Sequence, residues 1–243
     1  MKRTPARTAP DRAPAARRRA PVLLLLCGPA AAIACLSACD VTVVGQHSRT
    51  VSYAVSAPVR ALVVHDDTGS IHVTRGASGL RVTERQGYRG KTAPHTTHAV
   101  AAGTLTLAHT CRDCSVSYDV QLPAGTSVDL RTDTGSVVLD GLSGPVDAAT
   151  DTGSVTATGL TGGRARLTTG TGSVNAAFGR PPATLDATAD TGSVTLTLPS
   201  APAYAVTAGS GTGHVSVGVR RDDSARYRVT AHTDTGDVAI RRG

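Results

Sequence analysis

The sequence predicts an all-β chain wound as a β-helix-like solenoid of about seven short coils, and three observations carry that prediction. The phrase Asp133-Thr134-Gly135-Ser136-Val137 recurs, with copies beginning at Asp67, Asp133, Asp151, Gly170, Asp190, Gly211 and Asp234; the last six are spaced 18, 19, 20, 21 and 23 residues apart, a solenoid-like period. Apolar residues also fall into columns around each copy. Five residues before it stand Leu62, Val128, Val146, Ala165, Leu185, Val206 and Val229, and three before it Val64, Leu130, Ala148, Leu167, Ala187, Ala208 and Ala231. Four after it stand Ile71, Val137, Val155, Val174, Val194, Val215 and Val238, and six after it Val73, Leu139, Ala157, Ala176, Leu196, Val217 and Ile240. The positions between are mostly polar, as strands with one buried face require. Aromatic residues are scarce, with no Trp, one Phe and five Tyr, so the core must be built from thin, similar aliphatic layers. An antiparallel sandwich would give the same alternation, but like residues in like positions at a near-constant period favour coil upon coil.

Residues 1–38 read as a secretory signal: a basic region ending at Arg19, an apolar run from Pro21 to Ala34, then Leu36-Ser37-Ala38-Cys39. The run is short and interrupted by Pro and Gly, which argues against a permanent transmembrane helix. Leu-Ser-Ala-Cys resembles the bacterial lipobox, and that resemblance implies cleavage before Cys39, with a diacylglyceryl group on its thiol and palmitate among its acyl chains. Such a lipid would hold the protein on the outer face of the cell membrane. An ordinary cleavable signal is the alternative, and Arg17-Arg18-Arg19 leaves the twin-arginine route open beside the general one.

Residues 39–49 read as a tether and 50–243 as the repeat domain. The first repeat unit, with Ala61-Leu62-Val63-Val64 before its turn and Ile71-His72-Val73 after it, stands apart from the others. Residues 76–121 interrupt the period as an irregular insertion. Within it, Gly103–Leu107 and Ser115–Leu122 read as a β-hairpin whose short loop carries Cys111 and Cys114. From Pro123 onward the coils are regular, with Gly141-Leu142-Ser143-Gly144 and Gly159-Leu160-Thr161-Gly162 as second corners. No amphipathic helix appears after Cys39.

These residues together resemble a family of bacterial envelope β-strand-repeat domains of unknown function, commonly labelled "putative adhesin". The resemblance covers about residues 50–243 and rests on the Thr-Gly-Ser/Asp-Val units, Gly103-Thr104-Leu105, the Cys111/Cys114 pair, Val120–Gly125 and Gly141–Gly144. It implies a secreted or lipid-anchored actinobacterial protein without assigned chemistry, and a label derived from architecture adds little mechanism.

Asp-Thr-Gly-Ser is also the active-site phrase of aspartic proteases, where two carboxylates share a proton across two lobes. Stacked turns would instead set the Asp side chains in a ladder, and two copies lack Asp while Thr and Gly persist. The turn residues Asp67, Gly69, Asp133, Gly135, Asp151, Gly153, Gly172, Asp190, Gly192, Gly213, Asp234 and Gly236 are therefore read as structural. Gly would supply positive φ, Asp would cap a backbone N–H, and hydroxyls would satisfy further backbone groups. Calcium on the ladder is not required, because exposed carboxylates about 5 Å apart repel by only about 1 kcal/mol.

Cys111 and Cys114 read as a disulfide in an exported chain, with zinc ligation together with His109, His95 or His98 as the alternative. No catalytic residue, metal or cofactor is expected, and no nucleotide or hydrolase fingerprint is present. The net charge of +7 does not imply nucleic acid: seven basic residues lie in the first 39, leaving 18 basic and 17 acidic downstream, with no basic stripe.

The expected function is a membrane-anchored, non-catalytic module with an adhesin-like, envelope-binding or structural role, its partner an envelope polymer or protein. An enzyme acting on envelope polysaccharide and an envelope-stress sensor are the alternatives. The stretch from Gly76 to Cys114, with Arg81, Glu84, Arg85, Tyr88, Arg89 and Lys91, is the one irregular enough to hold a site.

Overall fold

The computed structural model describes residues 45–243 apart from 77–78 and 111–112, so the signal 1–38, Cys39 and Cys111 lie outside the described residues. In chain order the strands are β1 (Gln46–Val55), β2 (Ala61–Thr68), β3 (Ile71–Arg75), β4 (Leu80–Arg89), β5 (His95–Ala101), β6 (Thr104–Thr110), β7 (Cys114–Leu122), β8 (Ser127–Thr134) and β9 (Val137–Asp140). There follow β10 (Val146–Thr152), β11 (Val155–Leu160), β12 (Arg164–Thr171), β13 (Val174–Phe178), β14 (Thr184–Thr191) and β15 (Val194–Leu198). The chain ends with β16 (Ala205–Thr212), β17 (Val215–Val217), β18 (Arg228–Thr235) and β19 (Val238–Arg242). No helix is found among the described residues, and none there is long and apolar enough to cross a membrane.

Each coil is an arch that gives one strand to each of two facing sheets. The first sheet has ten strands in the order β1-β4-β7-β3-β9-β11-β13-β15-β19-β17, and the second has nine in the order β16-β18-β14-β12-β10-β8-β2-β6-β5. Between coils the pairing is parallel, and it aligns the apolar columns residue for residue: Val128 with Val146, Val146 with Ala165 and Ala165 with Leu185 in one sheet, Val137 with Val155 and Val155 with Val174 in the other. These residues are buried and form one continuous core. The fold is therefore the solenoid-like, all-β stack that the columns imply.

Three features depart from the sequence reading. Gly103–Leu107 and Ser115–Leu122 do not form a hairpin, because β6 and β7 lie in opposite sheets, each parallel to a strand of the first repeat unit. Leu105 and Leu107 extend the columns of Leu62 and Val64, and Tyr118 and Val120 those of Ile71 and Val73, so the expected hairpin is an eighth coil whose corner lacks the Asp-Thr-Gly-Ser phrase. Alternating residues fit an arch as well as a hairpin, and inward apolar positions in both strands decide for the arch. The antiparallel pairs of the insertion are β1 with β4, β4 with β7 and β5 with β6.

The coils also do not stack in chain order. The β6–β7 coil lies outside β2–β3 at one end, and the β18–β19 coil lies between β14–β15 and β16–β17 at the other. Finally, β1 begins at Gln46, inside the stretch expected as a tether, and pairs with β4 over ten residues, from Gln46 opposite Arg89 to Val55 opposite Leu80. Ser52 and Thr83 share a hydroxyl hydrogen bond of 2.9 Å across that pair.

The corners show what the repeated phrase does. Gly135 (φ 153°) and Gly153 (φ 146°) adopt backbone conformations that L side chains avoid. A Cβ on Gly135 would also run into the carbonyl oxygen of Gly69, and one on Gly153 into that of Gly135. The serine after each glycine links coils: the Ser154 amide faces the Ser136 hydroxyl at 3.5 Å, Ser173 that of Ser154 at 3.1 Å and Ser193 that of Ser173 at 3.2 Å. The residue before each turn donates its hydroxyl across the stack, Thr132 to the Gly69 carbonyl (3.1 Å), Thr150 to Gly135 (2.8 Å) and Thr169 to Gly153 (2.7 Å). Asp133, Asp151 and Asp190 are exposed, and no cap from their carboxylates is seen among the described residues.

A Gly153→Ala substitution meets both the φ penalty and the neighbouring carbonyl, and is expected to cost about 2 kcal/mol or more. Gly163, where a Cβ would meet nothing within 4 Å, serves as the control, and Gly163→Ala should stay within about 0.5 kcal/mol of the parent. Urea unfolding of the two variants would measure the difference.

Candidate functional site

The inward faces of the strands at the β6–β7 end change from apolar to polar. On β4 the residues sharing a face are Leu80, Val82, Glu84 and Gln86, all buried, while Arg81, Arg85 and Arg89 of the same strand are exposed. On β6, Leu105 and Leu107 are followed at the same parity by His109, and on β2, Leu62 and Val64 by Asp66. Asp66 stands where other coils carry Thr132, Thr150, Thr169 and Thr233. Parallel pairing of β2 with β6 brings the Asp66 Oδ1 to 3.3 Å from His109 Nδ1, their side chains being 0% and 3% exposed. The two side chains form no hydrogen bond with one another, and among the described residues His109 Nδ1, the Tyr118 hydroxyl and Gln86 Oε1 have no hydrogen-bond partner.

Glu84 organises the other half of the cluster. It accepts hydrogen bonds from the Tyr53 hydroxyl (2.7 Å) and from Gln86 Nε2 (3.0 Å), and the same amide reaches Thr96 Oγ1 at 3.4 Å. Tyr53 of the first sheet stacks on His98 of the second, with ring centroids 4.4 Å apart. The result is a polar layer between the sheets, sealed by β1, β4 and β5.

Burial sets the electrostatics of this layer. It pushes the Asp66 carboxyl up to about 7, helped by the charges of Asp67 and Asp133 and opposed by the backbone amides of Thr68 and Asp67. Burial likewise pushes His109 down, against the pull of Asp67 and Glu84, and raises the phenols of Tyr118 and Tyr53, with Glu84 adding to both. Both members of the Asp66–His109 pair thus favour their neutral forms. A carboxyl titrating near neutrality beside an imidazole is the usual signature of acid–base chemistry, but these groups face the core.

The residues expected to hold a site in the insertion are separated. Glu84 is inside; Arg81, Arg89 and Lys91 are exposed. Arg85 lies outside, 3.6 Å from Asp119, and Tyr88 stacks against His47 at 5.4 Å. Cys114 opens β7 opposite Tyr88, beside a depression of about 270 Å³ lined by Tyr88, Arg89, Asp113 and Ser115. The histidines considered as zinc ligands diverge, His109 toward Asp66 and His98 onto Tyr53, with His95 exposed at the start of β5. Among the described residues no three His, Cys, Asp or Glu side chains stand close enough to hold a metal ion. The turn residues Asp67, Asp133, Asp151, Asp190 and Asp234 line one edge of the stack beside Gly69, Gly135, Gly153, Gly192 and Gly236, with Gly172 and Gly213 continuing the row.

A second polar feature lies in the open. On the outer face of the nine-stranded sheet, register places Asp129, Asp147, Arg166 and Asp186 in one row across β8, β10, β12 and β14. Arg131 bonds Asp147 at 2.8 Å and lies 3.3 Å from Asp129. Burial works against the Arg131 charge, but these carboxylates more than offset it and hold it above its usual value. A shallow depression of about 350 Å³ runs along this row and also takes in Arg164.

A family model described as Toastrack DUF4097 matches residues 47–241, and no curated protein matches the sequence. Among solved structures, the chain is similar to a "putative cell adhesion protein" from Clostridium sporogenes, with 12% identity, TM-score 0.46, and coverage of 81% of this chain and 100% of that one. It is also similar to a "putative adhesin" from Bacteroides fragilis, with 11% identity, TM-score 0.43 and coverage of 81% and 97%. A "putative lipid binding protein" from Parabacteroides distasonis follows at 10% identity and TM-score 0.30, with coverage of 82% and 97%.

The Asp66–His109 pair gives stability a pH dependence with a definite sign. Asp66 titrates near 7 in the fold against an ordinary 3.8, so its contribution is fully present below about pH 4 and is lost as pH rises through 7. His109, pushed below 6.5, works oppositely, costing stability as pH falls below that value. Just below pH 6.5 the two slopes oppose one another, and above that value only the Asp66 loss remains. Asp66→Thr, which restores the hydroxyl of the other coils, should flatten the decline between pH 6.5 and 8 and leave the variant more stable than the parent at pH 8 by about 1–3 kcal/mol. Denaturant titrations at the two pH values would measure it.

Proposed function

We propose, starting from a chain that belongs to the Toastrack DUF4097 family, that the repeat domain is a non-catalytic, adhesin-like binding module. In this reading an acyl group on Cys39 holds it on the outer face of the cell membrane, and an envelope polymer or envelope protein is its ligand. The observation that supports the ligand class is the row of Asp129, Asp147, Arg166 and Asp186. Parallel pairing repeats donors and acceptors at the strand spacing of about 4.8 Å, a lattice suited to a chain-like polymer whose own groups repeat. The anchor rests on the Leu36-Ser37-Ala38-Cys39 motif following an apolar run. The non-catalytic reading is supported by the enclosure of Asp66 and His109, whose side chains are 0% and 3% exposed, since acid–base catalysis requires contact with a substrate. A disulfide between Cys111 and Cys114 at the β6–β7 corner belongs to the same proposal and suits an exported chain.

Co-sedimentation with purified cell-wall polymer tests the binding face. Asp147→Ala combined with Arg166→Ala should reduce bound protein at least tenfold, while Thr156→Ala on the opposite sheet leaves it unchanged; equal binding by all three would remove the face from consideration. Anchoring is tested separately. Cys39→Ala should abolish incorporation of labelled palmitate and release the protein from the membrane fraction, and retained label would remove the lipid. For the cysteine pair, alkylation of the unfolded chain should add mass at Cys111 and Cys114 only after reduction.

A further inference from the structure

The two ends of the stack are finished differently. At one end β1, β4 and β5 run antiparallel to their neighbours and close the core with the layer around Glu84 and Tyr53. At the other end the outermost strands are β16 and β17, each paired on one side only among the described residues. Part of the β16 edge is covered: Tyr204 pairs with Arg221, its amide donating to the Arg220 carbonyl and its carbonyl accepting from the Asp222 amide. The Ala205 amide points the other way, into the stack, toward the Tyr227 carbonyl. Backbone direction alternates along a strand, so the N–H and C=O groups of Val206, Ala208 and Ser210 face outward, past the cover.

Beyond the cover at Tyr204, this edge lacks the charged and proline devices that oppose pairing. Natural sheets blunt an open edge with charged residues, proline, bulges or covering segments. Residues 203–218 contain no Asp, Glu, Lys or Arg and no Pro, and Val215, at 45% exposure, is among the most exposed large apolar residues. The last coil also carries the core columns outward, with Ala208 and Val217 only partly buried against it. Terminal repeats of a solenoid ordinarily present a polar cap, and this coil does not.

We propose that this end of the stack is a self-association surface, on which β16 of one copy pairs antiparallel with β16 of a second copy about a two-fold axis at Ala208. The outward residues dictate the register: Ala208 faces its own equivalent and Val206 faces Ser210, giving about six backbone hydrogen bonds. A neutral strand can meet itself without bringing like charges together, which favours a second copy over a charged partner. Because β16 meets its own equivalent about the two-fold axis, the contact is isologous and closes at two copies rather than running on as a filament.

Sedimentation velocity of the full chain in mild detergent tests the proposal, and a concentration-dependent monomer–dimer equilibrium is expected. Ala208→Pro removes an outward N–H and no bond to β18, so it should weaken the dimer at least tenfold while circular dichroism stays that of the parent. Should that variant unfold, Thr207→Lys replaces it, because it sets two cations beside the axis on an exposed position. Ala208→Cys supplies an independent reading: equivalent Cα atoms of a hydrogen-bonded pair lie about 5.5 Å apart, within disulfide range. Oxidation should cross-link Ala208→Cys and leave the parent and Val51→Cys on β1 monomeric. A parent that is monomeric at every concentration, a dimer indifferent to both substitutions, or cross-linking through Val51→Cys would each overturn it.

Discussion

The structure depends on how closely one corner lies on the next. At the Thr-Gly-Ser turn the backbone of each coil touches the carbonyl of its neighbour, leaving no volume for a Cβ on Gly135 or Gly153. That approach brings each serine amide within reach of the preceding coil's serine hydroxyl and the threonine before each turn within reach of a glycine carbonyl. The parallel register of both sheets follows from it, because a corner that docks in one way holds both arms of its arch in line. The core can then be thin and almost free of rings, since each layer is completed by the layers on either side of it.

What the sequence revealed and what it hid follow from the same geometry. The inward columns were legible because strand alternation is local and each coil repeats it. The order of the coils was not, because Val206 and Val229 fill their columns equally well and nothing in either says which lies next to Leu185. The arch formed by β6 and β7 reads as a hairpin in the sequence for a related reason: its corner carries the two cysteines instead of the repeated phrase. The polar layer was hidden in plain alternation. Asp66 precedes a turn as Thr132 does, and parity alone places Glu84 on the face of Leu80 and Val82. A carboxylate at a column position held elsewhere by threonine was the available signal.

That layer separates two functions that a solenoid end must serve. An apolar end would favour further stacking, whereas a layer built around Glu84, Gln86 and Tyr53 satisfies hydrogen bonds only among its own members. The cost appears at Asp66, whose burial holds it protonated to near neutrality. Such a buried group weighs on the stability of the fold, and it lies in the layer that closes this end of the stack. The exposed row around Asp147 and Arg166 is of the opposite kind: its charges remain in water and cost the fold little.

The exchanged order of the last two coils has a consequence for how the chain is completed. The β16–β17 coil is made before the β18–β19 coil against which it rests, so for an interval it has no neighbour in place. Only when the final residues arrive can the C-terminal segment slot between two coils already made, like a keystone, and join them through β14 on one side and β16 on the other. The β16–β17 coil therefore joins the rest of the stack only through the β18–β19 segment, although that segment follows it in the chain. Loss of the β18–β19 segment would leave the β16–β17 coil without the partner that ties it to β14 and β15.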